Sequence, residues 1–483
     1  RRLQGQPETR KKRPLLGKGK DGIEGSLSED YGMNEAYAVM LRKTHTVIWL
    51  FLGMLLYKFS LDLGYLYLVR ISPGYNLVFN PLKYAAGLVW CILLFVCIRH
   101  TERKSSSFFL YFVFLLQIVP ISTVYAMMDE STIYYHLLCV SFLLCELLVG
   151  YTGEPPLFRR NFPISRAMTL SFAVASSLLI VYVIRKNGTP NLSLLDVYSV
   201  YDYRRSGKFQ ISKYMSYMLD WTTKVFLPFG IAKALTDRKY PMATVFASLL
   251  LLIYLYTGHK VYLFAIPLLL IGTLWTRRKN GYQELFLIGC VGFSALTLLA
   301  NATQPGSLWY KLFGLFGNRV LLLSSKLKFN YFDYFSSHPK MGLYAVFPRW
   351  IFPISSYYEN IDFQHEIGAI YYGAPDMNAN TGFFAEGYLR FGHIGTILIL
   401  LLFALLLKEM DRFQERVGYQ LTIGVFLYPI YFLADGHLFD TLILGPWMFL
   451  VAILLFYTLK PSQLSNFSKE ETREHPSKIS DSL

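Results

Sequence analysis

The chain has 483 residues, of which 53% are hydrophobic and only 16% charged, with a mean hydropathy of +0.34. That balance excludes a disordered chain, a coiled coil and a disulfide-stapled secreted module. It also argues against an ordinary soluble enzyme, whose charged share lies nearer a quarter. A net charge of +15 raises nucleic acid as a partner, but the placement of that charge points elsewhere.

Residues 1–45 form a polar, basic arm without a cleavable signal sequence; the first residue is Arg, which reads as a processed or partial chain. Apolar blocks then recur at lengths that cross about 30 Å of hydrocarbon. They predict an all-α polytopic membrane protein of about twelve spans, at 46–69, 82–98, 107–127, 131–150, 167–184, 214–232, 241–257, 261–276, 283–300, 384–407, 418–434 and 441–459. Backbone groups in lipid need partners within their own segment, so each block is expected to be helical. The transmembrane domain is thus 46–459, and the polar ends 1–40 and 460–483 read as disordered tails. Cys91, Cys97, Cys139, Cys145 and Cys290 all fall in apolar blocks and read as small core residues.

Every even-numbered exit is basic: Arg99, Arg103 and Lys104; Arg159, Arg160 and Arg166; Lys233, Arg238 and Lys239; Arg277, Arg278 and Lys279; Lys408, Arg412 and Arg416. The short opposite turns at 127–131 and 434–441 carry no Lys or Arg. The positive-inside rule then places both termini in the cytoplasm. Most of the net charge is topology signal, and no nucleic-acid partner is expected.

Two predicted outer loops are long, at about 185–213 and 301–382. Long loops translocate regardless of charge, so the Arg204-Arg205 pair reads as an anion contact. The second loop carries Phe316-Gly-Asn-Arg-Val320, Lys326-Leu-Lys-Phe-Asn-Tyr-Phe-Asp-Tyr-Phe335, His338-Pro-Lys340, Phe347-Pro-Arg-Trp350, His365-Glu-Ile-Gly368 and Met377-Asn-Ala-Asn-Thr-Gly-Phe-Phe-Ala-Glu-Gly-Tyr388. Arg forks suit phosphate oxygens, and aromatic faces suit sugar rings.

The stretch from Asn378 to Tyr388, followed by Phe391-Gly-His-Ile-Gly395 and an apolar span, resembles the Wzy-type O-antigen and capsular polysaccharide polymerases. Arg319 with Tyr331 and Phe332, and Thr257-Gly-His-Lys260 in a short outer turn, resemble that family too. The resemblance implies a GT-C-like membrane glycosyltransferase of the bacterial cytoplasmic (inner) membrane. Such an enzyme moves a growing glycan from undecaprenyl diphosphate onto a lipid-linked repeat unit at the outer face. A chain-length regulator and a flippase are the partners it implies.

That chemistry needs cations for the diphosphate and a base for the acceptor hydroxyl. Lys260, Arg319, Arg349, Arg204 and Arg205 are the cation candidates, and His338, His365, Glu366 and Glu386 the base candidates. Tyr331, Asn378, Asn380 and Thr381 are candidates for substrate contact. Glu386 reads equally as a structural carboxylate at the interface, Asn378 and Asn380 as caps, and Gly392 and Gly395 as close helix contacts. Lys58 and Asp62, four apart in the first span, predict a structural pair; Lys224 is expected to snorkel toward the basic outer loop. No Asp-x-Asp or His-x-x-x-His cluster lies in the outer loops, so neither metal nor other cofactor is expected. An O-antigen-type ligase, a lipid-linked oligosaccharide flippase and a membrane acyltransferase remain rival functions.

Overall fold

The computed structural model describes residues 21–72, 74–100, 102–151, 165–195, 200–344, 346, 356–359, 361–442 and 445–457. Among them every regular element is helical. Residues 1–49 and 50–483 form two units. In the first, the chain is helical from Asp21 onward, inside the stretch predicted to be an unstructured tail. Residues 21–41 contain no proline and several strong helix formers, among them Glu24, Glu29, Glu35, Ala36 and Leu41. One turn spans His45 to Trp49, whose Nε1 donates to His45 Nδ1 at 3.1 Å.

Where their residues are described, the predicted spans fall on helices; the twelfth, 441–459, is shared between Leu438–Leu442 and Pro446–Phe456, with 443, 444, 458 and 459 outside the described residues. Seven described helices are long and apolar enough to cross a membrane: Thr44–Ile71, Ser105–Met127, Thr132–Gly150, Leu170–Asn187, Tyr240–Thr257, Gly281–Ala302 and Phe383–Val417. Three more, Pro81–Cys97, Lys260–Trp275 and Pro446–Leu455, are apolar but shorter. The predicted sixth span is divided into Lys213–Trp221, a π-helical turn Thr222–Phe226 and Leu227–Thr236. The eleventh, Tyr419–Phe432, contains Pro429.

The turns sort into two sets that bond within themselves. In the basic set, Arg103 Nη2 donates to Thr276 O at 3.2 Å, Gln414 Nε2 to Arg103 O at 2.8 Å, and Arg99 Nη2 to Gly150 O at 2.6 Å. In the other set, Val78 N donates to Met127 O at 2.9 Å, Ser324 Oγ to Ala434 O at 3.2 Å, and Phe383 N to Leu433 O at 3.1 Å. These turns therefore fall into two distinct groups of backbone.

Much of the predicted outer loop 301–382 is helical and packed. Ser307 caps the run by accepting from Tyr310 N at 3.2 Å. Leu308–Phe313, a nine-residue π-helical segment Gly314–Leu322, and Leu323–Ser337 then follow without a break. Its charged residues had marked it as loop, yet Lys326 and Lys328 are buried inside the fold. Phe363–Tyr372 adds a further helix.

The helix Phe383–Val417 is interrupted at Phe391 and Gly392, where Gly392 has φ +64°. Gly392 is thus required by a turn, whereas Gly395 serves close approach. A Cβ on Gly395 would lie 2.1 Å from Gly387 O, and one on Gly387 2.5 Å from Gly395 O. The chain doubles back here on bare backbone. The expected Lys58–Asp62 pair forms at 2.5 Å and is buried; Thr123 Oγ1 and Tyr84 OH donate to the carboxylate at 2.8 and 2.9 Å. All five cysteines are free, four of them buried and Cys97 half-buried.

Candidate functional site

The π-helical segment Gly314–Leu322 carries Arg319, and such segments recur at functional sites because they re-aim side chains out of helical register. Arg319 is half-buried and makes no hydrogen bond or ion pair with another described residue. Its charge acts on Tyr75, Tyr372 and Asp435, which places these four groups together.

Two lysines complete the cluster. Lys326 Nζ donates to Gly74 O at 2.6 Å and lies 5.5 Å from the Tyr75 ring centroid and 4.8 Å from that of Tyr372. Tyr75 OH donates to Asn318 Oδ1 at 2.6 Å, and Asn330 Nδ2 to Tyr372 OH at 3.0 Å. Lys328 is fully buried, donating to Ser324 O at 3.0 Å and Ser324 Oγ at 2.9 Å. Burial pushes its ammonium down to about 7, opposed by the charge of Asp435. Asp435 is raised by burial, while Arg319, Lys328 and a hydrogen bond from Ser324 hold it back. Glu130 is raised to about 7 by burial, against the pull of Lys326 and Lys83. Three cations and two hydroxyl-bearing rings thus converge at the predicted outer end, a set suited to a polyvalent oxyanion.

The other predicted residues distribute as follows. Lys260 opens the helix Lys260–Trp275. Phe264, one turn into that helix, meets the Phe316 ring at 5.8 Å, so Lys260's helix touches the segment bearing Arg319. Arg204 and Arg205 are exposed at the end of Val200–Arg205. Burial, aided by the charge of Arg204, pushes His259 down to about 4. Lys224 pairs with Asp220 at 3.0 Å and lies 4.1 Å from the Phe432 ring centroid. Arg349 lies outside the described residues.

Five candidates make contacts within the fold. Glu386 is fully buried, accepting from Arg390 Nε at 3.0 Å, Leu438 N at 2.5 Å and Phe439 N at 3.0 Å. Arg390 in turn donates to Gly342 O at 3.1 Å and Tyr344 O at 2.9 Å. This is the structural carboxylate, not one that faces the cluster. Tyr331 is buried and donates to Ala379 O at 2.8 Å, so its ring is closed to a sugar. Phe332 beside it stacks on Tyr134 at 4.7 Å. His338 stacks on Tyr334 at 4.0 Å, and its Nδ1 lies 2.8 Å from Tyr334 O. Tyr334 OH donates to Glu366 at 2.8 Å, and His365 Nδ1 lies 2.8 Å from Asp362.

Asn378 is exposed and Asn380 half-buried, without forming the cap of a helix; Gly382 occupies that position before Phe383. Thr381 is fully buried, and its hydroxyl has no hydrogen-bond partner among the described residues. Sequence reasoning missed Lys326 and Lys328 as cations, Tyr75 and Tyr372 as rings, and Asp435. Among the described residues no three His, Cys, Asp or Glu side chains gather into a metal-holding group. No family model, curated protein or solved structure matches the chain.

Proposed function

We propose that this chain is a polysaccharide polymerase of the cytoplasmic (inner) membrane of a bacterium, a GT-C-like glycosyltransferase with twelve spans and both termini inside. It transfers a growing glycan from undecaprenyl diphosphate to the next lipid-linked repeat unit at the outer face. The observation that carries the reading is Arg319: a guanidinium held at the predicted outer end, beside Lys326, Tyr75 and Tyr372, with no hydrogen bond or ion pair to another described residue. Departure of a lipid diphosphate leaves charge at the membrane face, and fixed cations in a shielded site stabilise it.

The test is a reconstituted assay in lipid nanodiscs with a synthetic lipid-diphosphate repeat unit, read as a glycan ladder. Successive additions on the lipid diphosphate support the polymerase. Transfer only to an added lipid A–core acceptor indicates a ligase. Movement of the substrate across vesicles without new glycosidic bonds indicates a flippase.

A further inference from the structure

The turn that follows Tyr419–Phe432 is pinned on both sides by the motif Asn378–Tyr388. Before it, Phe383 N donates to Leu433 O at 3.1 Å, and a Cβ on Gly382 would lie 2.2 Å from Ala434 O. After it, Glu386 takes the N–H groups of Leu438 and Phe439. From the third side Ser324 Oγ donates to Ala434 O at 3.2 Å, while Lys328 Nζ donates to Ser324. Gly436 packs so closely on Phe432 that a Cβ would come within 2.4 Å of its ring. Two separate elements, the motif around Phe383 and the helix bearing Ser324, therefore fix one five-residue turn, and its one carboxylate is Asp435.

We propose that Asp435 is the general base that activates the acceptor hydroxyl in the transfer reaction. The assignment rests on the glycosyl-transfer reading given above. In the step, the acceptor oxygen bonds to the donor's anomeric carbon as the bond from that carbon to the diphosphate oxygen breaks. The hydroxyl proton passes to Asp435, and the leaving diphosphate keeps the electron pair, its charge met by Arg319 and Lys326.

Two features fit Asp435 to this work. It is half-buried as a residue, unlike Lys328, which is fully buried, and its carboxylate is not saturated as that of Glu386 is. The charged and titratable groups around it are Arg319 from the π-helical segment, Lys328 from the helix that follows, and Tyr431 from its own helix. His437, two residues on, answers instead to Glu386 and Arg390. Burial raises the carboxyl above the usual aspartate range and so strengthens it as a base.

The test compares wild type with Asp435→Asn and Asp435→Glu in nanodiscs. It reads initial ladder rates from pH 5 to 9, binding of undecaprenyl diphosphate, and thermal unfolding. Asp435→Asn is expected to lower turnover by about a hundredfold or more and to abolish the acid limb of the profile, with the protein still folded and diphosphate binding retained. Asp435→Glu keeps a carboxylate and is expected to recover part of the rate with a displaced limb. An Asp435→Asn ladder within threefold of wild type, with the same pH profile, overturns the assignment alone. If that variant does not fold, an Asp435→Glu profile identical to wild type overturns it. A wild-type protein that transfers glycan to no acceptor overturns both readings.

Discussion

Glu386 holds the backbone N–H of Leu438 at 2.5 Å, 52 residues away in sequence, while its other contacts tie it to Arg390 and Phe439. A carboxylate so placed fixes the start of the short helix Leu438–Leu442 relative to Phe383–Val417. Glu386→Ala strands a buried guanidinium, a loss on the order of 3–5 kcal/mol. The expected outcome is a large drop in melting temperature for Glu386→Ala and a smaller one for Glu386→Gln, which keeps the shape and one acceptor. Equal melting of all three proteins would show that the contact is dispensable.

Arg319 can hold two phosphate oxygens at once, and Lys cannot. Arg319→Lys and Arg319→Ala are both expected to lower ladder formation by on the order of a hundredfold at matched protein level. Full activity in Arg319→Lys would reduce the residue to a generic headgroup charge. Lys260→Ala, one helix away, is expected to shorten the chains without abolishing them.

Lys328 gives a pH signature with a definite sign. Its folded-state pKa is pushed down to about 7, whereas an unfolded lysine titrates near 10.4. Between those values the unfolded chain binds more protons, so this group makes stability rise with pH. Below pH 7 the destabilisation is fully present, because both states are protonated. Lys328→Met is therefore expected to melt higher than wild type at pH 6, with the gap closing toward pH 10. A gap that is absent or widens with pH contradicts the buried ammonium.

The seven long apolar helices were legible because a long apolar run admits one backbone solution in lipid, and the Lys58–Asp62 pair because four residues make one helical turn. Glu386 and Arg390 have that same spacing, but Arg390 lies at the head of an apolar run whose hydropathy hides the pair. The helix 308–337 was hidden for the opposite reason. Arg319, Lys326, Lys328 and Asp333 make it read as polar loop, and only packing reveals that two of the lysines are enclosed. Asp435 sits in a turn noted solely for its lack of Lys and Arg; nothing local distinguishes it until Ser324, 111 residues earlier, is seen beside it.

Glycine substitutions separate contact from mere presence. Gly387→Ala drives a methyl to 2.5 Å from Gly395 O, while a Cβ on Gly289 meets nothing within 4 Å. The first is expected to destabilise strongly and the second to be neutral or to stabilise by up to about 1 kcal/mol, both read by thermal unfolding in detergent. Similar melting of the two variants would remove the close-approach argument.

Orientation is open to direct measurement. In a cysteine-free background, Ser337→Cys should react with an impermeant maleimide in spheroplasts, and Glu415→Cys only after lysis; both positions are exposed. The reverse pattern would invert the topology and move the Arg319 cluster to the cytoplasm.

The ion pair of the first span bears on how the protein is made. A lone Lys or Asp at the centre of an inserting helix costs on the order of 2.5–3.5 kcal/mol. Lys58 and Asp62 lie one turn apart on the same helix and touch at 2.5 Å, so they neutralise each other as soon as that helix forms. Thr123 and Tyr84, which also bond Asp62, are synthesised later. The span can thus leave the translocon as a self-compensated unit and recruit those partners afterwards. Moving the carboxylate from Asp62 one residue on, to position 63, would swing it around the helix away from Lys58 and turn a span that inserts by itself into one that must wait for its neighbours.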